Sequence, residues 1–383
     1  MRKVLFTSTA LVAFSAISGA QAAEPIKLQL GGFAHQWWGW TSNSNDGPVV
    51  AVGNNSVTER NEVANRDNVE IFFTGSTKLD NGITVAVRVE LEGAGAANSS
   101  QVDEQNLTIS GGFGRLILGG EDNVTAIMQV LTPSVGYGAG FVEGGIWVNS
   151  PTNVSTLNVT GFHQATFADD SDVQKITYIT PSFFGFQAGY SYTPNWQDSG
   201  YGITSDAAGT DVHSGAISYN GKFGDVGFKA DVGAFSSNGG TIAAGGGTST
   251  GALKGWRAGA NVSFAGFTLG GHYFAQDQKM AAAAAGVNTT PVSRKGNIWS
   301  LGAMYETGPW GVSLGYGSEK VEGLVSNGAD DKTQHWELAG KYILGPGIDV
   351  ALAWQNWNFE SEDNARGNEN KGNVIMTGIR VAF

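Results

Sequence analysis

The chain has 383 residues, no cysteine, and 34 acidic against 22 basic side chains, for a formal net charge of −12. The missing thiols exclude disulfides, thiolate nucleophiles and zinc–thiolate sites, and the acidic balance argues against nucleic acid as a partner. Only 15% of residues are charged, against ~25% in soluble domains, whereas 57 glycines and 20 phenylalanines suit a sheet with many turns.

Arg2 and Lys3 precede an apolar run over 4–17, and Ala20-Gln21-Ala22 follows it. A basic start, a short apolar core and a small-residue cleavage site predict a secretory signal peptide over 1–22, removed on export. A membrane anchor needs ~20 apolar residues, more than this run supplies. Loss of Arg2 and Lys3 makes the mature domain, 23–383, more acidic still. For a pore, that balance predicts a field favouring cations.

Period-2 alternation then predicts sixteen strands: 27–40, 68–78, 83–92, 104–112, 115–121, 173–180, 186–193, 212–223, 226–236, 255–264, 267–276, 297–306, 311–320, 333–344, 349–359 and 373–383. The connections between them alternate in length. Those at 79–82, 113–114, 181–185, 224–225, 265–266, 307–310 and 345–347 are short. Those at 41–67, 93–103, 122–172, 194–211, 237–254, 277–296, 321–332 and 360–372 are long and polar. All long loops therefore fall on one side, as in an antiparallel meander threaded through a membrane. The fold class expected is an all-β transmembrane barrel, and sixteen strands make it too wide for side chains to fill.

The strand at 83–92 shows the two faces. Val85, Val87, Val89 and Leu91 point one way; Thr84, Ala86, Arg88, Glu90 and Glu92 point the other. In the last strand Ile375, Thr377, Ile379, Val381 and Phe383 share the apolar face, and Arg380 lies on the opposite one, which a wet interior would accommodate. Trp38, Trp40, Tyr192, Tyr219, Trp256, Trp299, Tyr305, Tyr342 and Trp357 stand near strand ends, where interfacial aromatic girdles would lie.

With its leader, Lys27-Leu28-Gln29-Leu30-Gly31-Gly32-Phe33, Gly114-Arg115-Leu116-Ile117-Leu118-Gly119-Gly120, the segment from Tyr178 to Tyr192 and the final Arg380-Val381-Ala382-Phe383, the chain resembles a Gram-negative general diffusion porin of the sixteen-stranded trimeric kind. The resemblance spans the mature chain. It implies that the third loop, 122–172, folds into the lumen and narrows it. Loop acids, here Asp122, Glu143, Asp169, Asp170 and Asp172, would face basic residues on the wall. Arg88, beside Glu90, is the foremost wall candidate, with Arg115, Lys229, Arg257, Lys341 and Arg380 as others. A homotrimer in lipid and lipopolysaccharide follows too, with the 93–103 loop as a latch. The terminal Ile379, Val381 and Phe383 would be read by the barrel-insertion machinery. The 156–167 segment reads as an extra hairpin within the third loop.

Other motifs carry less. Gly311-Val312-Ser313-Leu314-Gly315 matches a nucleophile pattern but lies inside a strand, without the strand-to-helix elbow that chemistry requires. The five histidines (His35, His163, His213, His272, His335) lack metal-ligand spacing. Asp169-Asp170-Ser171-Asp172 and Asp330-Asp331 offer oxygen ligands for a loop-bound Ca²⁺, without the Gly and Glu of an EF-hand loop. No metal or other cofactor, and no catalysis, is expected. The reading is an outer-membrane channel of a Gram-negative bacterium, passing small hydrophilic solutes and mildly preferring cations. Two alternatives stay open: a solute-specific channel for sugars or anions, with Phe33, Trp37 and Trp357 as a possible aromatic track, and a plugged barrel that binds at its surface.

Overall fold

The computed structural model describes residues 25–44, 62–93, 102–136, 147–148, 172–195, 210–238, 250–280, 292–322, 330–361 and 369–383. The signal segment 1–22, the 156–167 hairpin and Glu143, Asp169 and Asp170 lie outside them.

Sixteen strands form one closed antiparallel barrel. In order they are β1 (Lys27–Asn43), β2 (Val63–Lys78), β3 (Thr84–Glu92), β4 (Val102–Gly111), β5 (Gly114–Gly120), β6 (Gln174–Ile179), β7 (Phe186–Asn195) and β8 (Thr210–Phe223). There follow β9 (Val226–Asn238), β10 (Thr250–Phe264), β11 (Phe267–Met280), β12 (Val292–Thr307), β13 (Trp310–Glu322), β14 (Asp330–Gly345), β15 (Ile348–Glu360) and β16 (Asn370–Ala382). One short helix, α1 (Val124–Ile127), interrupts the long connection after β5.

Closure is made by β1 against β16, in a register running from Phe33↔Ala382 to Asn43↔Gly372. Phe383 completes it: its N–H donates to Gly32 O and its carbonyl accepts from Gly32 N–H, both at 3.0 Å. No strand edge is left open, which hydrocarbon requires. Several strands outrun their apolar pattern. β2 begins at Val63 rather than 68, and β12 at Val292 rather than 297, on the long-loop side. There the outer face carries polar residues, so the backbone ladder continues after the alternation has faded. At the short-turn end, Ala265 and Gly266 both take positive φ (51° and 87°), the geometry that joins twisted strands through two residues.

The outer face is apolar: Val87, Leu269, Leu301, Leu314, Leu352 and Ile375 are all exposed there. Aromatics bracket it. Trp256 packs with Tyr273, and Tyr316 with Trp336, toward the long loops; Phe267 packs with Tyr305, and Trp310 with Tyr342, toward the short turns. Rings with a polar tip suit headgroup depth on both sides. Trp357 is a correction to the expected girdle. It shares the inner face with His335, its cross-strand partner, and stacks on that ring at 4.0 Å.

Candidate functional site

The described start of the connection after β5, residues 121–136, turns inward and runs along the inner wall. Asn123 caps α1, its Oδ1 accepting from the N–H groups of Thr125 (2.9 Å) and Ala126 (3.3 Å). Val124 N–H donates to Ser191 Oγ on β7 at 2.9 Å, and Val130 N–H to Asp231 Oδ1 on β9 at 2.7 Å. Asn261 of β10 donates to Leu131 O at 3.0 Å, and Thr132 meets His272 Nδ1 of β11 at 3.2 Å. Val135 N–H reaches Ser313 Oγ on β13 (3.0 Å), and Arg380 of β16 donates to the carbonyls of Gly136 (3.2 Å) and Val135 (3.3 Å). These polar wall residues fall on the inward-facing positions of their strands, because side chains alternate across a strand.

Apolar contacts follow the same track. Val124 and Met128 pack with Ile179 and Ala216, while Val135, Trp147 and Val148 cluster with Trp37, Trp357, Phe359, Val374 and Met376. Close approach at β12 depends on a glycine. A Cβ at Gly302 would stand 2.6 Å from Thr132 Cγ2 and 2.9 Å from Pro133 O.

Carboxylates gather where β2, β3 and β4 meet the root of this loop. Carboxylate oxygens of Glu70, Glu92 and Asp103 lie within 4.8 Å of one another, as do those of Glu104, Asp122 and Asp172. A register break between Val89↔Gln105 and Leu91↔Val102 lets Asp103 and Glu104, neighbours in sequence, serve the two inward-facing groups. Oxygen-only sets of this kind suit hard cations, and their direct effect is a concentrated negative field. Glu121 adjoins them, accepting from Asn106 Nδ2 at 2.9 Å. Burial pushes its carboxyl above the usual carboxylate range, opposed in part by the Arg88 charge. Arg88 pairs with the buried Glu90, lies over the Phe72 ring at 4.4 Å, and keeps 42% of its side chain accessible.

An inward loop fixed to a wide closed barrel, beside an acidic wall, is the architecture of a constricted pore. The sequence matches the family model described as Gram-negative porin over residues 7–361. The chain belongs to the Gram-negative porin family. Its place is therefore the outer membrane, and its general function that of a porin-like channel. Solved structures show the same fold at low identity. An anion-selective porin from Comamonas acidovorans has 18% identity and a TM-score of 0.61, over 94% of this chain and 100% of that one. OmpT of Vibrio cholerae has 11% identity and a TM-score of 0.60, over 96% and 100%. Salmonella typhi OmpF, in complex with daunomycin, has 16% identity and a TM-score of 0.59, over 93% and 98%. No curated protein matches the sequence.

Within this porin the basic wall residues divide into two kinds. Arg257 lies on the inner face but is fully enclosed: its Nε donates to Asp231 Oδ2 at 2.9 Å and its Nη2 to Val130 O at 3.2 Å. It holds the loop, and has no surface left to line a solute path. Arg380 acts similarly, with its Nη2 2.6 Å from Asp349. Lys341 pairs with Glu306 at 2.6 Å. Arg115 and Lys229 are exposed on the inner face, and Arg88 stays partly open.

The aromatic candidates resolve differently. Trp37 and Trp357 are only 3% and 4% exposed, inside the cluster that seats Trp147 and Val148, so they pack against the loop rather than form an open track. Phe33 stacks on His35 at 4.7 Å. Of the Ca²⁺ candidates, Asp172 joins Glu104 and Asp122, while Asp331 is fully buried on β14. Asp231, Glu70, Glu104 and Glu121 carry much of the arrangement, yet the sequence reading did not single them out. Alternation marks the strand acids as same-face residues, but only the loop's path shows what they meet.

Proposed function

We propose that the protein is a passive diffusion channel for small hydrophilic solutes, weakly preferring cations and assembled as a homotrimer. The observation that carries the preference is the carboxylate wall formed by Glu70, Glu92, Asp103, Glu104, Asp122 and Asp172 at the root of the inward loop. Charges lining a passage with low-dielectric walls focus the field and raise the local concentration of counter-ions. The basic side chains nearby are largely neutralised in pairs, so the acids set the sign. There is no chemical step: discrimination comes from the width left beside the loop and from the lining charge. The burial of Trp37 and Trp357 speaks against a sugar track.

Single-channel recording of the purified protein in a planar bilayer, with reversal potential under a salt gradient, tests this reading. Conductance steps grouped in threes, with a cation-side reversal potential, support it. A folded barrel without conductance overturns it and favours a plugged binding protein. Native mass spectrometry of the detergent-solubilised protein tests the trimer directly.

A further inference from the structure

Beneath α1, at the short-turn end of the barrel, lies a cavity of about 530 Å³. Its lining comes from β5 to β9 and from the underside of the inward loop, and includes Arg115, Lys229, Gln129, Gln187, Ser218 and Asn220. Elsewhere on the inner wall Arg88, Arg257, Arg380 and Lys341 each have a carboxylate partner. Arg115 and Lys229 have none among the described residues, and no described residue lining the cavity is acidic. Both cations are exposed. The cavity is thus a small positive compartment inside an acidic protein.

Resting on the channel reading, we propose that this cavity is a binding subsite for small dicarboxylate solutes, on the side of the constriction where the short turns lie. β5 and β9 are four strands apart in the barrel, roughly 19 Å along the wall, and two long side chains reaching inward shorten that gap. Two separated cations suit a solute with an acidic group at each end better than one compact charge. Arg115 offers a planar fork to one carboxylate and Lys229 a point charge to the other. The Gln187 and Asn220 amides can donate to the same oxygens or accept from hydroxyl groups. The volume accommodates a four-carbon diacid with water. Small solutes are commonly held this way, by a few convergent polar groups in a concave site.

Calorimetric titration of succinate into the folded, detergent-solubilised full chain tests the subsite. One weak saturable site is expected. It should weaken about a hundredfold in R115Q/K229Q and persist in R115K/K229R, since each of the two charged contacts contributes on the order of a tenfold change. Heat-modifiable gel migration checks that each variant is folded. No saturable binding to the wild type, or unchanged binding to R115Q/K229Q, overturns the subsite. The titration needs no ion current, so its failure leaves the channel reading standing, and absent conductance with intact binding does the reverse.

Discussion

Arg257 and Asp231 meet at 2.9 Å beneath the inward loop, and the same aspartate takes the Val130 N–H at 2.7 Å. Arg257 completes the triangle through Val130 O. One enclosed pair thereby ties two neighbouring strands to the loop that narrows the lumen. Arg257→Met would leave Asp231 buried without its counter-charge, a loss on the order of 3–5 kcal/mol. The barrel should unfold at lower temperature by circular dichroism, and single-channel current should become noisier as the loop gains freedom. D231L/R257M, which removes both charges, should recover much of the stability but not the quiet current. Quiet current in both variants would mean the pair does not hold the loop.

At Gly302 the loop crosses β12 with no room for a side chain. Gly302→Val places side-chain atoms where Thr132 and Pro133 O now sit. Overpacking of this kind costs roughly 1–3 kcal/mol, and the loop is easier to move than a barrel strand. Displacement into the lumen should lower single-channel conductance, with the barrel's melting temperature changing less than in Arg257→Met. Unaltered conductance would show that the loop yields elsewhere.

The barrel was legible in the sequence because its strongest signal is local. Alternation separates Val87 from Arg88 and Ile379 from Arg380, and short turns alternating with long loops set which end is which. The site was less legible because its geometry is non-local. Parity shows that Arg257 and Arg115 can both face inward, but it cannot show that the loop covers one and leaves the other exposed. The register break in β4 hides a second feature, since simple alternation would set Asp103 and Glu104 on opposite faces. Trp357 fails for a related reason: proximity to a strand end suggests a girdle, while its inward register places it beneath the loop.

Arg88 is the partly open cation beside the acidic wall, and its partner Glu90 is only 5% exposed. Arg88→Gln removes positive charge from the passage and should move the reversal potential further toward the cation side. R88Q/E90Q has the same net charge as the wild type and should return close to it. Arg88→Gln strands the buried Glu90 carboxylate and should cost more stability than R88Q/E90Q, which removes both charges, while the accessible guanidinium keeps that cost below the one for Arg257→Met. A reversal potential insensitive to Arg88→Gln would place the selective region elsewhere along the lumen.

Glu121 gives the channel a dependence on pH. Burial raises its proton affinity above that of an exposed glutamate, so it loses its charge at milder acidity than ~4.3. The sign for stability follows from the same shift. The folded state holds this proton more tightly than the unfolded chain, so ionising Glu121 as pH rises works against the fold, and acidification through its titration does not. Cation preference should therefore fall on acidification over a range that begins above the ~4.3 of an exposed glutamate, while the barrel stays intact. Reversal potentials across that range should show Glu121→Gln starting with weaker preference and varying less steeply. If the variant follows the wild-type curve, the carboxylates around Glu104 and Glu70, rather than Glu121, govern the response.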